Sequence, residues 1–138
     1  MIELVRSYLK AWNDHDGAAV VQQLAPGGIY VDPFLPGPVS GPDFEGYVNA
    51  LIAAFPDMAF AEESLIGDGD IALLGWRMTG TNTGPIPGFQ TATGGRCDLP
   101  GADIIRVGPD GIQTVTGYFD QKTFFEQLGM QVTITLAG

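Results

Sequence analysis

The spacing of apolar residues changes its period along the chain, and those changes divide it into elements. Ile2, Val5, Leu9 and Trp12 recur at three- and four-residue steps, with Leu4 and Tyr8 beside them, which predicts an amphipathic helix over Ile2–Asn13. The polar cluster Asn13-Asp14-His15-Asp16-Gly17 stops it and offers Asp16 as the N-cap of a second helix, Gly17–Leu24. Pro26-Gly27-Gly28 ends that helix, and Ile29-Tyr30-Val31 reads as a short strand closing on Asp32-Pro33. After a Pro/Gly-rich link, Phe44, Tyr47, Val48, Leu51, Ile52 and Phe55 form the stripe of a third helix over Asp43–Phe55, with Pro42 near its first turn.

From Met58 onward apolar residues alternate instead. Met58–Ile66 and Ile71–Thr79 read as strands joined by the turn Gly67-Asp68-Gly69-Asp70. Gly80–Gly95 is a Gly/Thr/Pro loop without apolar period, a candidate lid. Asp98–Val107 and Ile112–Phe119 form a second strand pair, Gln121–Leu128 a short helix, and the alternating tail Gln131–Leu136 an edge strand. Helices followed by a run of antiparallel strands predict a single α+β domain over 1–138, with a curved sheet wrapped on helices.

Composition narrows the function classes. At 138 residues, 45% hydrophobic and 16% charged, the chain is long enough for one core and too apolar to be disordered. Sixteen acids against six bases give a net charge of −10, which repels a phosphate backbone and an anionic bilayer, so neither nucleic acid nor membrane is an expected partner. No apolar run approaches the ~20 residues of a membrane span, and the N-terminus lacks the pattern of a secretory signal. A single Cys97 cannot form an internal disulfide and fits a cytoplasmic protein; one Cys with one His excludes a Cys/His zinc site. Chemistry here must use carboxylates, hydroxyls and backbone.

Three residues stand where a bland fold would not need them. Tyr8 lies on or beside the stripe of the first helix, and Asp32 closes the first strand. Asp103 shares parity with Leu99, Ile105 and Val107, and a carboxylate on an apolar strand face is costly to ionise. Each has a purely structural alternative: a core tyrosine with a satisfied hydroxyl, an Asx turn before Pro33, a solvent-facing strand residue. Asp120, ahead of Gln121-Lys122-Thr123, is a natural N-cap, and His15 sits in a polar turn. Gly80-Thr81-Asn82-Thr83-Gly84 lacks the lysine of a phosphate loop, and Asp68-Gly69-Asp70 lacks the ligand spacing of a calcium loop.

Tyr8-Leu9-Lys10-Ala11-Trp12-Asn13, Tyr30-Val31-Asp32-Pro33 and Pro100-Gly101-Ala102-Asp103-Ile104-Ile105-Arg106 resemble the ketosteroid isomerases. Trp12-Asn13-Asp14-His15-Asp16, Ala54-Phe55-Pro56-Asp57, Gly75-Trp76-Arg77-Met78-Thr79-Gly80-Thr81 and Tyr118-Phe119-Asp120-Gln121 resemble still more the SnoaL-type polyketide cyclases. Both groups share the NTF2-like cone, a bent sheet around a pocket closed by helices. The resemblance implies Asp32 as general base, with Tyr8 and a protonated Asp103 as the donors of an oxyanion hole. A carboxylic acid held neutral to donate is the established device of ketosteroid isomerase itself. It also implies Asp120 as an acid/base, Trp12, Phe55, Trp76 and Tyr118 as substrate wall, no metal or organic cofactor, and a homodimer. Enolate formation would lead to double-bond isomerisation or aldol ring closure of a small hydrophobic carbonyl compound.

Other outcomes of the fold compete with this. Epoxide hydrolysis needs an Arg, which Arg77 could supply, and two carboxylates, where Thr79 and Gly117 stand instead. Scytalone-type dehydration wants pocket histidines, and only His15 is present. A non-catalytic ligand-binding or dimerising module is the alternative of a different class, with Val132, Ile134 and Leu136 pairing across an interface.

Overall fold

The computed structural model describes every residue except Phe89 and Gln90. Helix α1 (Ile2–Asn13) buries Val5, Tyr8, Ala11 and Trp12 on one face, as the three- and four-residue spacing requires. Asp16 caps α2 (Gly17–Gln22) by accepting from the Ala19 amide at 3.0 Å. Strand β1 (Leu24–Val31) begins earlier than its apolar run suggests. Its register against its neighbour slips between Leu24 and Ile29, so Pro26-Gly27-Gly28 is an irregularity inside the strand and not a helix end.

Helix α3 (Gly41–Ala54) carries Pro42 in its first turn and buries Phe44, Val48 and Ala54. Strands β2 (Ala59–Asp68), β3 (Ile71–Thr81), β4 (Arg96–Gly108) and β5 (Gly111–Phe119) follow, and α4 (Gln121–Gln127) closes the described elements. The sheet order is β1-β5-β4-β3-β2, antiparallel throughout except for the parallel β1–β5 pair. This is the expected α+β, NTF2-like arrangement. The alternating tail 131–138 joins no strand: its Ile134 and Leu136 are 83% and 98% exposed, and alternation without hydrogen-bonded pairing does not make a sheet strand.

The helices pack on the concave face of the sheet, where Leu74, Trp76, Met78, Leu99, Ile105 and Val115 meet the buried stripes of α1 and α3. Burying each such side chain contributes roughly 1.5–3 kcal/mol. Polar fasteners fix the angle of α1: the Asn13 side chain accepts from the Phe60 amide at 2.7 Å and donates to its carbonyl at 2.9 Å, in the manner of a strand neighbour. His15, at φ 56°, lies 2.6 Å through Nε2 from the Met58 carbonyl oxygen. The Trp-Asn-Asp-His-Asp motif is therefore largely a joint between helix and sheet. Among the described residues no helix is long and apolar enough to cross a membrane.

Candidate active site

Tyr8, Asp32 and Asp103 reach one cavity from three different elements. Tyr8 comes from the buried stripe of α1. It is 1% exposed, and its hydroxyl has no hydrogen-bond acceptor among the described residues, an expensive state for a buried donor.

Asp32 follows the last residue of β1. Its Oδ1 accepts from the Phe34 amide at 2.8 Å, which is the Asx turn expected before Pro33. Its Oδ2 faces inward and accepts from two phenols, Tyr30 at 2.7 Å and Tyr47 at 2.5 Å. One carboxylate thus serves the turn with one oxygen and the cavity with the other.

Asp103 lies within β4, paired with Leu74 of β3 and Gly117 of β5. Its Oδ1 accepts from the Trp76 indole Nε1 at 3.1 Å. Two strand glycines make this crowding possible. A Cβ on Gly117 would stand 3.2 Å from Asp103 Oδ1 and 3.3 Å from Asp32 Cβ, so the two aspartates flank that glycine. A Cβ on Gly101 would lie 2.2 Å from Trp76 Cη2, inside the indole that holds Asp103. Neither glycine has a positive φ; space, not backbone conformation, asks for them.

The electrostatics follow from burial. Asp103 is pushed up to about 7, chiefly by loss of solvent; the indole bond opposes the shift and the nearby Asp32 charge adds to it. Tyr8 and Tyr30 are pushed well above the ordinary phenol value, first by burial and then by the neighbouring carboxylates, and Tyr47 is raised for the same reasons. All three phenols therefore keep their protons at neutral pH and act as donors.

The walls are otherwise apolar and aromatic. Trp12 and Trp76 both stand edge-on to Phe60, at 5.6 and 5.4 Å between centroids, and Tyr30 stacks on Phe44 at 4.5 Å. The free space is ≈ 40 Å³, against roughly 10–15 Å³ for one water on the same measure. Beside it lies a larger cavity of ≈ 340 Å³, which shares Phe34, Tyr47, Leu51 and Phe124 with the first as common walls.

Other expected site residues are placed elsewhere. Asp120 caps α4, accepting from the Thr123 amide at 3.2 Å and its hydroxyl at 3.0 Å; it is exposed and lines neither cavity. Tyr118 is 55% exposed on the convex face, since Gly117 and Phe119 take the inward parity of β5. Phe55 lines only the larger cavity, while Trp12 and Trp76 line only the smaller one. Arg77 projects outward to Glu63 at 3.3 Å and Asp98 at 2.9 Å, away from any epoxide-activating position. Burial pushes the Cys97 thiol up to about 11, so it is an inert core residue. Among the described residues no group of three or more His, Cys, Asp or Glu side chains is placed to hold a metal ion.

Tyr30 and Tyr47 are the additions. Tyr47 belongs to the predicted stripe of the third helix, and a hydroxyl carried on a buried stripe was the available signal. For Tyr30, which alternates with Asp32 across Val31, shared strand parity was the signal.

A SnoaL-like domain model matches residues 5–114, most of the chain. The chain belongs to the SnoaL-like domain family. Solved structures agree at the level of fold. AclR from Streptomyces galilaeus, described as a candidate hydroxylase, superposes with a TM-score of 0.80 at 20% identity, covering 96% of this chain and 83% of AclR. A protein with a ketosteroid isomerase-like fold from Catenulispora acidiphila, bound to trimethylamine, gives 0.79 at 19% identity and 94% of both chains. A candidate polyketide cyclase from Acidithiobacillus ferrooxidans gives 0.76 at 26% identity and 92% of both. No curated protein sequence matches this SnoaL-like chain.

Proposed function

We propose that this SnoaL-like protein is a cofactor-independent acid–base enzyme acting on a small, apolar carbonyl compound through an enolate. The observation that carries the reading is the Tyr8 hydroxyl, without an acceptor among the described residues, in a cavity that also holds two aspartates. A buried donor without an acceptor is in place for a ligand oxygen. Asp103, pushed up to about 7, is largely protonated below neutrality and supplies a second donor. Asp32 Oδ2 takes the proton beside the carbonyl, and charge then grows on the carbonyl oxygen toward Tyr8 and Asp103. Asp32 Oδ2 already accepts from both Tyr30 and Tyr47, so one of these two bonds has to open for Asp32 to act as base. Return of the proton at another carbon gives isomerisation; attack on a second carbonyl gives aldol ring closure. The relatives described as candidate polyketide cyclases favour closure.

Exchange of α-protons for deuterium, followed by NMR on tetralone and a cyclic diketone, tests this directly. Asp32→Asn should slow exchange about 10²–10⁴-fold. Exchange at an unchanged rate in that variant would sink the proposal.

A further inference from the structure

Trp76 of β3 lies directly opposite Gly101 of β4, and Asp103 follows two residues further along β4 on the same inward face. A diagonal of that kind spans roughly 7–8 Å, within reach of a long aromatic side chain. Gly101 clears the path. A Cβ there would stand 2.2 Å from the indole Cη2 and 2.3 Å from Cζ2, so the ring lies across the glycine, and its Nε1 meets Asp103 Oδ1 at 3.1 Å. Phe60 holds the ring edge-on at 5.4 Å and Phe119 lies beside it at 6.1 Å. Both ends of the hydrogen bond are buried.

Among the described residues this is the hydrogen bond that Asp103 makes, and its chemistry is one-sided. An indole N–H donates, cannot accept and carries no charge. A protonated carboxyl has one hydroxyl and one carbonyl oxygen, and the carbonyl oxygen is the better acceptor. The indole therefore selects Oδ1 as the carbonyl oxygen and leaves the proton of the acid on Oδ2. A lysine or arginine in its place would hold the carboxylate charged, and a hydroxyl or side-chain amide could accept the proton itself.

We propose that Trp76 is the positioning residue of the acid: its indole fixes the Asp103 carboxyl through Oδ1, so that the O–H of Oδ2 is presented to the carbonyl oxygen of the ligand. This role rests on the cavity being where the carbonyl reacts, and it takes Trp76 beyond that of an apolar wall. The titratable groups that face Asp103 are Tyr8 from α1, Tyr30 from β1 and Asp32 just after it. The phenols keep their protons and, among the described residues, no Lys, Arg or His lines the cavity, so Asp32 is the charge that Asp103 feels.

Trp76→Phe keeps a ring against Phe60 and deletes the donor. Two causes of a changed pH profile then separate by sign. The indole bond favours the ionised acid, so its loss alone should move the falling limb of tetralone exchange upward by about one pH unit. A loosened wall that merely admits water would move the limb downward, because burial is what raises Asp103. On the acid side of the limb, where Asp103 is protonated in both proteins, kcat should fall about ten-fold with KM within about two-fold. A limb that moves downward or stays in place, or an unchanged kcat on its acid side, would overturn the proposal.

The unaltered full chain supplies a second measurement that needs neither a folded variant nor turnover. In proton–nitrogen correlation spectra the Trp76 indole N–H, identified by its contacts to the Gly101 α-protons, should shift downfield as pH rises through about 7, when its acceptor gains charge. An indole signal indifferent to pH across that range would overturn the positioning bond. An indole that titrates in a protein with no tetralone exchange would uphold the fixed acid and refute the enolate chemistry instead.

Discussion

Trp76 and Arg77 are consecutive residues of β3, and each holds an aspartate of β4 on opposite faces of the same sheet. On the convex face the Arg77 guanidinium donates to Asp98 at 2.9 Å, and both side chains are well exposed. On the concave face the Trp76 indole donates to Asp103 at 3.1 Å, with Asp103 only 7% exposed. The convex pair is charged, solvated and exchangeable. The concave pair has a neutral donor and little water, so the acid itself is pressed toward neutrality. Strand parity alone decides which aspartate is surface charge and which is a proton store.

The comparison can be broken most severely by pH. Asp103 holds its proton in the folded protein up to about 7 but loses it near the ordinary carboxylate value when unfolded. Between those values the native state binds the extra proton, so stability is greatest at the acid end and falls as pH rises toward 7, by as much as about 4 kcal/mol at 1.36 kcal/mol per pH unit. Asp103→Asn should flatten that slope in urea denaturation, and Asp98→Asn should leave it. The same protonation makes α-proton exchange decline as pH rises through 7.

Catalysis gives the next largest contrast. Asp103→Leu removes a donor from the oxyanion site and should slow exchange about 10²–10³-fold, whereas Asp98→Asn should stay within about two-fold. Packing comes after it. Gly101→Ala drives a methyl into the Trp76 ring and should cost about 1–3 kcal/mol by thermal unfolding. Gly75→Ala, toward the convex face where the nearest atom is Ser64 Cβ at 3.3 Å, should cost less than about 1 kcal/mol. The smallest effect is expected for Arg77→Ala, no more than about 1 kcal/mol and shrinking in high salt.

Much of this was legible in the chain, for reasons that differ by element. The helices α1 and α3 and the alternation of β3 and β4 follow from local periodicity, which also puts Asp103 inside and Asp98 outside. Applied to β5, that parity turns Tyr118 away from the cavity despite its place in a family-like motif. The early start of β1 was not legible, because Pro26-Gly27-Gly28 is a local break signal overridden by pairing with a strand far along the chain. The tail shows the reverse: alternation without a partner makes no strand. The convergence of Tyr30 and Tyr47 on a single oxygen depends on α3 lying against β1, and no local pattern reports that contact.

The parallel pairing of β1 with β5 has a consequence for the order in which the molecule can be assembled. Tyr30 aligns with Val115 and Val31 with Thr116, so β5 lies between the strand leading to Asp32 and the strand carrying Asp103. The hairpin neighbours of the sheet join segments close in sequence and can pair as they emerge from a ribosome. The β1–β5 contact must instead close a loop spanning most of the chain, which is the slow kind of contact to form. The two aspartates therefore meet only after β5 has been made and inserted, and a nascent chain that stops short of it carries Asp32 and Asp103 as strangers. Acquisition of the cavity that holds both aspartates should coincide with the final cooperative step of folding.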